Sequence, residues 1–304
     1  MSLKIRLALH ALLKKGTFVR DDPNYRTVTV STFEGKLKRV CRTLRDTFCS
    51  SSYEEVLRGF LLLHKVMREG NFKVFSFFSE TRLCHPKKLS SQPTQTILPE
   101  YFSFIEKYGK SLESNILFHT TFVYVGGDFS IAPILPITET LKEKMDLCEL
   151  GKRVMELFKE NCKLLWALSE MKGFDEMISM ACQLIFNDVI GQFEILRDLC
   201  NVSRYEEKMK IKFERLYVEV KKAQKFVLEI GGKFKNSAMK MDLPNTKKCE
   251  EIVYSTGSNE AKIFCAKFGI DESSIKNLSE VEDDEIEGKY SPYDNCALVI
   301  WPKQ

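Results

Sequence analysis

Residues 175–200 read DEMISMACQLIFNDVIGQFEILRDLC, and the apolar side chains Ile178, Ala181, Cys182, Ile185, Val189, Ile190, Phe193 and Leu196 fall three and four residues apart. That period belongs to a helix, and the apolar positions cover more than one of its faces, so this helix is expected to be the most buried in the molecule. Similar spacing runs on both sides, from about Leu147 to Lys172 and from Arg204 to Glu229, where Gly231 and Gly232 end the last helix. Consecutive long helices with short connections, and no detectable repeat period, predict an all-α fold. Its expected form is a right-handed superhelix, or solenoid, of stacked antiparallel helices.

Working toward the amino end, the same period continues with interruptions. Residues 2–15 carry Leu3, Leu7 and Ala11 on one stripe, with Ile5, Leu9, Leu12 and Leu13 beside it, and Gly16 stops them. Residues 27–33, TVTVSTF, are locally strand-like because β-branched side chains crowd a helix, and periodicity alone leaves the segment open. From Thr32 to Phe48 a helical stripe of Phe33, Leu37, Val40, Cys41, Leu44 and Phe48 resumes. Ser52 with Glu55 forms a capping box that opens a helix running to Gly70, and a short helix is expected from Asn71. Pro86, Pro93 and several hydroxyl residues mark Cys84 to Pro99 as a loop. An aromatic-rich helix follows through Tyr101, Phe102, Phe104 and Tyr108, then an irregular passage from Phe118 through Gly126 and Gly127 to Pro136.

The chain has 304 residues, 44% hydrophobic and 29% charged, enough to bury a sizeable core in one elongated domain or two compact ones. The uncharged stretch from Ser114 to Gly127 is shorter than the roughly 20 apolar residues of a spanning helix, and it contains Asn115, His119 and two glycines. The amino end alternates apolar and basic residues, unlike a secretory signal, so a cytosolic protein is expected. Ten scattered cysteines without Cys-x-x-Cys spacing read as reduced thiols, and no His-Glu-x-x-His helix offers a zinc site. No cofactor is expected.

Charge is unevenly placed. Residues 1–48 hold eleven bases against four acids, a net of +7, while residues 271–304 hold nine acids against three lysines, a net of −6. A cationic cluster beside an amphipathic helix suits anionic lipid or nucleic acid, at about 1 kcal/mol for each base near an anionic membrane. Singly, each base has a plainer reading. Lys14 and Lys15 are favourable cations at a helix C-terminus, and Lys36, Lys38, Arg39 and Arg42 are the solvated face of a helix. As a cluster they point to binding, whereas the acidic tail reads as a solvated segment. No Gly-x-x-x-x-Gly-Lys loop or Gly-x-Ser-x-Gly elbow is present, and His119, or Cys84 with His85, is more simply structural than catalytic, so no enzyme is expected.

Glu54 to Phe78, EEVLRGFLLLHKVMREGNFKVFSFF, resembles the third and fourth helices of ANTH domains. Residues 112–129, LESNILFHTTFVYVGGDF, are similar to the Phe-His…Phe-x-Gly passage of the huntingtin-interacting-protein and yeast Sla-type branch. CQLIFNDVIGQFEILRDLC and the helix after it resemble the long helix pair of the family, and ALVIWP is like the short hydrophobic segment that follows. The resemblance covers about residues 3–232. It divides the chain into a 1–232 ANTH-like helical domain and a 233–304 extension with a short helix (Asn259 to Lys267), the acidic run and a strand-like end, Ala297 to Pro302.

The resemblance implies an adaptor that binds phosphatidylinositol 4,5-bisphosphate at the plasma membrane in clathrin-coated sites. It implies clathrin coat components and an epsin-like ENTH protein as partners; without an aromatic-basic platform such as an RNP motif, no nucleic-acid partner is expected. The lipid motif of the family is a lysine pair on the first helix, then a basic stretch ending in His or Tyr about ten residues on. Lys14 and Lys15 match the pair. Asn24, Tyr25, Arg26 and Thr27 stand at the second half, where Arg26 matches one base, Tyr25 stands out of order for the aromatic, and Asp21 and Asp22 add opposing charge. Lys4, Arg6, Lys36, Lys38 and Arg39 would enlarge the patch. Adaptors of this branch continue into a coiled coil and an actin-binding talin-like module, and no sustained heptad stretch occurs here. The expectation is a reduced homologue, unable to link coats to actin by that route, or one domain of a longer chain. Competing readings are a clathrin-assembly-type adaptor with a vesicle-SNARE helix in a groove between early helices, and a helical scaffold for protein partners or nucleic acid.

Overall fold

The computed structural model describes residues 3–15, 22–50, 52–79, 83, 99–131, 147–171, 176–205, 225 and 227–229. Residues 84–98 of the expected loop, most of the third long helix, and the whole of residues 233–304 lie outside them, while Pro99 is the first residue of a helix.

The described residues are all-helical, with eight α-helices in a superhelical stack and no strand. They are α1 (Leu3–Lys15), α2 (Pro23–Ser31), α3 (Leu37–Phe48), α4 (Tyr53–Glu69), α5 (Lys73–Phe78), α6 (Pro99–Thr121), α7 (Leu147–Glu170) and α8 (Glu176–Tyr205). A π-helical turn, Thr32–Lys36, joins α2 to α3. Helix α1 packs on α2 and α4, α4 on α3, α6 and α8, and α7 lies between α6 and α8.

The β-branched segment that looked strand-like is helix α2. Pro23 stands in its first turn, and the Asp22 carboxylate caps it by accepting from the N–H groups of Asn24 at 2.7 Å and Tyr25 at 3.2 Å. Two of its hydroxyls bond back into the helix, Thr27 to the Pro23 carbonyl and Ser31 to that of Val28, while Thr29 Oγ1 is buried without a partner. The N-cap and the burial of Tyr25 and Val28 against the core offset the modest penalty that β-branching imposes on a helix.

Three further boundaries differ from the sequence reading. The stripe expected from Thr32 to Phe48 is broken, because Gly35 takes φ +75° and Glu34 leaves helical geometry. Phe33 is thereby turned out to 60% exposure, while Leu37, Val40, Cys41, Leu44 and Phe48 stay buried. Helix α6 continues past Phe118 to Thr121, and α8 runs through 200–204 to Tyr205, since Asn201, Val202 and Ser203 include neither Gly nor Pro. The capping box at Ser52 forms through a relay. Ser52 Oγ accepts from the Glu55 N–H at 3.4 Å, but the Glu55 carboxylate accepts from the Ser50 hydroxyl at 2.5 Å, and Ser50 Oγ in turn accepts the Ser52 N–H.

Core packing centres on α4 and α8. Phe60, Leu61, Leu62, Leu63 and Val66 of α4, and Ile178, Phe186, Val189 and Phe193 of α8, have no solvent contact. Between these helices lies one buried carboxylate, Asp188. Its Oδ2 accepts from His64 Nε2 at 2.7 Å and from Asn115 Nδ2 at 3.2 Å, while Oδ1 accepts from Arg68. The other ring nitrogen of His64 pairs with the Tyr108 hydroxyl at 2.8 Å. Burial alone would raise the Asp188 pKa, but the charges and hydrogen bonds of His64 and Arg68 outweigh it and hold the carboxyl below its ordinary range. A second polar ladder, Ser111 to Asn161 to Gln192, links α6, α7 and α8.

The passage after α6 is anchored by aromatic rings. Phe118, His119 and Phe129 cluster together, and the His119 ring stacks on Phe75 with centroids 4.5 Å apart. Gly127 lies so close to α4 that a Cβ there would stand 1.7 Å from the Met67 carbonyl oxygen. Phe129 adopts φ +63°, a conformation retained by burial of its ring and by the Phe129 N–H bond to the Gly126 carbonyl. Thus the passage from Phe118 and His119 to Gly127 and Phe129 is a packing device, and His119 is one of its core members.

Replacing Asp188 by Ala strands Arg68 and His64, and is expected to cost about 3 to 5 kcal/mol in urea denaturation. Burial depresses the His119 pKa to about 4, against 6.5 for a free imidazole. Stability is therefore expected to be complete above pH 6.5 and to fall as pH drops toward 4, by up to about 3 kcal/mol, since only the unfolded chain binds the proton there. In His119→Leu that part of the pH dependence should flatten, as read from unfolding free energies across the range.

Candidate anion-binding surface

The outer face of α1, α2 and α3 carries most of the bases singled out from sequence. Helix α1 buries Ile5, Ala8, Leu9 and Leu12. Only one of its two apolar stripes can face the core, so Leu3 and Leu7, expected to be packed, are exposed alongside His10 and Lys14. Lys4 and Arg6 are exposed as well. Lys15 is the last residue of α1, and its side chain lies outside the described residues.

Helix α2 presents Arg26 to solvent but not Tyr25. The Tyr25 ring is buried, its hydroxyl donates to Glu69 at 2.8 Å, and the Lys65 ammonium lies 5.2 Å from its centroid. Tyr25 is therefore a strut between α2 and α4 and is withdrawn from any ligand. The opposing charge of Asp22 is engaged in the cap, which also takes two of the free N–H groups at the start of α2. A phosphate approaching α2 thus meets Arg26 and not an open helix terminus.

Helix α3 buries one face and leaves Lys38, Arg39, Arg42 and Arg45 exposed on the other. Lys38, Arg42 and Arg45 follow an i, i+4, i+7 spacing, so the three form one stripe about 10 Å long. Arg42 was named from sequence only as part of the cationic cluster and Arg45 not as a candidate, although the spacing from Lys38 was readable. Lys36 is committed differently: its ammonium donates to Glu34 at 2.8 Å. The Lys36 hydrogen bond, then its charge, and to a smaller degree the charge of Lys4, lower the Glu34 pKa.

Helices α1 and α2 are consecutive and pack on one another, and the π-helical turn with α3 follows α2 directly. The eight predicted bases fall into two groups. By position along the helices, Lys14 and Lys15 end α1 and Arg26 stands near the start of α2, while Lys4 and Arg6 stand near the start of α1 and Lys36, Lys38 and Arg39 at the turn into α3. Lys4 and Lys14 are separated by about 15 Å of helix rise. That exceeds the screening length of about 8 Å at physiological salt, so the two groups act almost independently on an anion. Arginines in each offer bidentate bonds to phosphate, and lysines offer point charges.

Elsewhere, burial raises the thiol pKa of Cys41 to about 12, and moves Cys162 and Cys182 upward too, which keeps these sulfurs protonated. An open groove of about 530 Å³ lies between α6 and α7, floored by Phe104, Leu164, Leu168 and Met171 and edged by Glu100 and Glu170. No helix of the described residues is long and apolar enough to cross a membrane.

A scan against protein-family models finds no match, and a search of curated proteins finds none. Among solved structures, the ENTH domain from epsin-2 in complex with phosphatidylinositol 4,5-bisphosphate is similar to this chain. The TM-score is 0.52, with 14% identity, covering 80% of this chain and 97% of that one. At such identity the likeness is one of fold: the chain has the helical architecture of an ENTH domain, a relative of the ANTH domain.

Independence of the two charge groups has a measurable consequence. For binding to vesicles of phosphatidylserine, the free-energy losses of Lys14→Ala/Arg26→Ala and of Arg42→Ala/Arg45→Ala should sum in the combined variant to within about 0.5 kcal/mol. A large shortfall from additivity would mean that both groups hold one anion.

Proposed function

We propose that this protein is a phosphoinositide-binding peripheral membrane adaptor of the ANTH type, nearest to the huntingtin-interacting-protein and yeast Sla-type branch. Its headgroup is phosphatidylinositol 4,5-bisphosphate, its place the cytoplasmic face of the plasma membrane, and its process clathrin-mediated endocytosis. The observation that carries this reading is the exposed cationic face of α1 to α3 on a fold like that of the epsin-2 domain solved with this lipid. Lys14, Lys15 and Arg26 are the headgroup group; Lys38, Arg39, Arg42 and Arg45 add attraction for the surrounding anionic surface. The role is one of binding, with no catalytic step. Affinity built from so few surface charges is modest, so a coat that presents many copies, with clathrin and an epsin-like ENTH protein as partners, would supply avidity.

Sedimentation with vesicles tests this directly, comparing phosphatidylinositol 4,5-bisphosphate with phosphatidylserine at matched charge. The intact chain should prefer the phosphoinositide. Lys14→Ala/Lys15→Ala/Arg26→Ala should lose that preference and about a hundredfold in affinity, from about 1 kcal/mol per base. Equal binding to both lipids, unchanged in the variant, would overturn headgroup recognition and favour a helical scaffold for protein partners.

A further inference from the structure

Two phenylalanines project into solvent from different parts of the chain at one edge of the amino-terminal layer. Phe33, in the π-helical turn, is 60% exposed, and Phe72, in the turn between α4 and α5, is 59% exposed. A single exposed ring calls for no explanation. These two are held as a pair: the Asn71 N–H donates to Thr32 Oγ1 at 3.0 Å, and each phenylalanine is the next residue after one partner of that bond. The left-handed conformation of Gly35 turns Phe33 outward, and the close approach of Gly70 to Thr32 keeps the two turns in contact. Val30, 45% exposed, extends the apolar area along α2.

The charges around this edge are mainly cationic. Lys73 follows Phe72 and is exposed, Lys38 and Arg39 open α3, and Lys4 stands close enough to affect Glu34. The nearby acids are engaged: Glu34 by Lys36, and Glu69 by Lys65 and the Tyr25 hydroxyl. Aromatic rings at the tips of turns, rimmed by lysines and arginines, match the chemistry of an anionic bilayer surface, where rings enter the headgroup region and cations meet phosphates.

We propose that the edge carrying Phe33 and Phe72 is a membrane-insertion site: both rings enter the interface of an anionic bilayer while Lys4, Lys38, Arg39 and Lys73 contact lipid phosphates. The inference rests on the membrane-binding reading above and adds to it a second foothold. This foothold lies away from the Lys14, Lys15 and Arg26 group and is apolar where that group is ionic.

The test uses the full chain with phosphatidylcholine vesicles containing phosphatidylinositol 4,5-bisphosphate, with and without brominated acyl chains. In Phe33→Trp and Phe72→Trp, the added indole fluorescence should shift to the blue on vesicle binding and be quenched by the brominated lipid, beyond the change given by the wild-type tryptophans. Phe33→Ser/Phe72→Ser should bind these vesicles about tenfold or more weakly. Its affinity for soluble inositol 1,4,5-trisphosphate and its melting temperature should stay unchanged, since both rings are exposed. Vesicle binding with neither added indole quenched would overturn insertion while leaving headgroup recognition intact. Failure of the wild-type chain to bind any anionic vesicle would overturn both. Equal loss of the soluble headgroup in the serine variant, or a wild-type self-association that the serine variant abolishes, would also overturn it, the latter by assigning the edge to a second copy.

Discussion

A buried carboxylate, Asp188, fastens three helices that are far apart in sequence. It takes hydrogen bonds from His64 and Arg68 on α4 and from Asn115 on α6, while itself belonging to α8. An unpaired charge in such a place would carry a desolvation cost of several kcal/mol, so the register of α4 against α8 must bring the partners to it. Tyr108 completes the arrangement through His64 and is itself held protonated, first by burial and then by the charge of Asp188. Leucines and phenylalanines around the network supply most of the burial, and apolar contacts alone tolerate some sliding of one helix along another. The directional bonds to Asp188 select one alignment.

This division of labour leaves the amino-terminal layer free to present charge. Helices α1, α2 and α3 bury one face each, and their bases on the other face are not needed to hold the core. Where charges do serve the fold they are partnered, as with Lys65 and Glu69 beside Tyr25 or Lys36 with Glu34. The exposed Lys36–Glu34 pair contributes little to stability, whereas Lys65 and Glu69 are largely covered. The contrast between engaged and outward-facing cations separates charges that serve the fold from those left on the solvent side of the first three helices, where the proposed binding face lies.

The attachment proposed for this layer combines two physically different attractions. Ionic contacts from Lys14 and Arg26 would weaken with salt and depend on headgroup charge, whereas burial of Phe33 and Phe72 in a bilayer would depend on apolar area and hardly on salt. Two weak contacts of different character on one rigid layer give reversible attachment whose strength rises steeply when copies are brought together. A rigid support matters here, because the Asn71 to Thr32 hydrogen bond and the anchored turns hold the apolar pair without further ordering on binding.

Much of this was legible without coordinates. The apolar period marked α4, α7 and α8, Ser52 marked the start of α4, and the charge count marked the amino end as cationic, because each signal is local and repeats along a helix. Other features depend on surfaces contributed from far along the chain. Which stripe of α1 faces inward was decided by α2 and α4, and so Leu3 and Leu7 emerged. Tyr25 was drawn into the core by Glu69 and Lys65, forty or more residues away. TVTVST became helix because Asp22 caps its start and Tyr25 and Val28 are buried on its inner face. Phe33 left its expected stripe because one glycine kinked the turn. The sequence by itself determined the helical class, the capped and apolar segments and the sign of the charged end, since these follow from residues within a few positions of one another. Tertiary structure alone decided which cations cluster, which aromatics are struts and which face solvent, because each depends on a neighbour that only folding brings near.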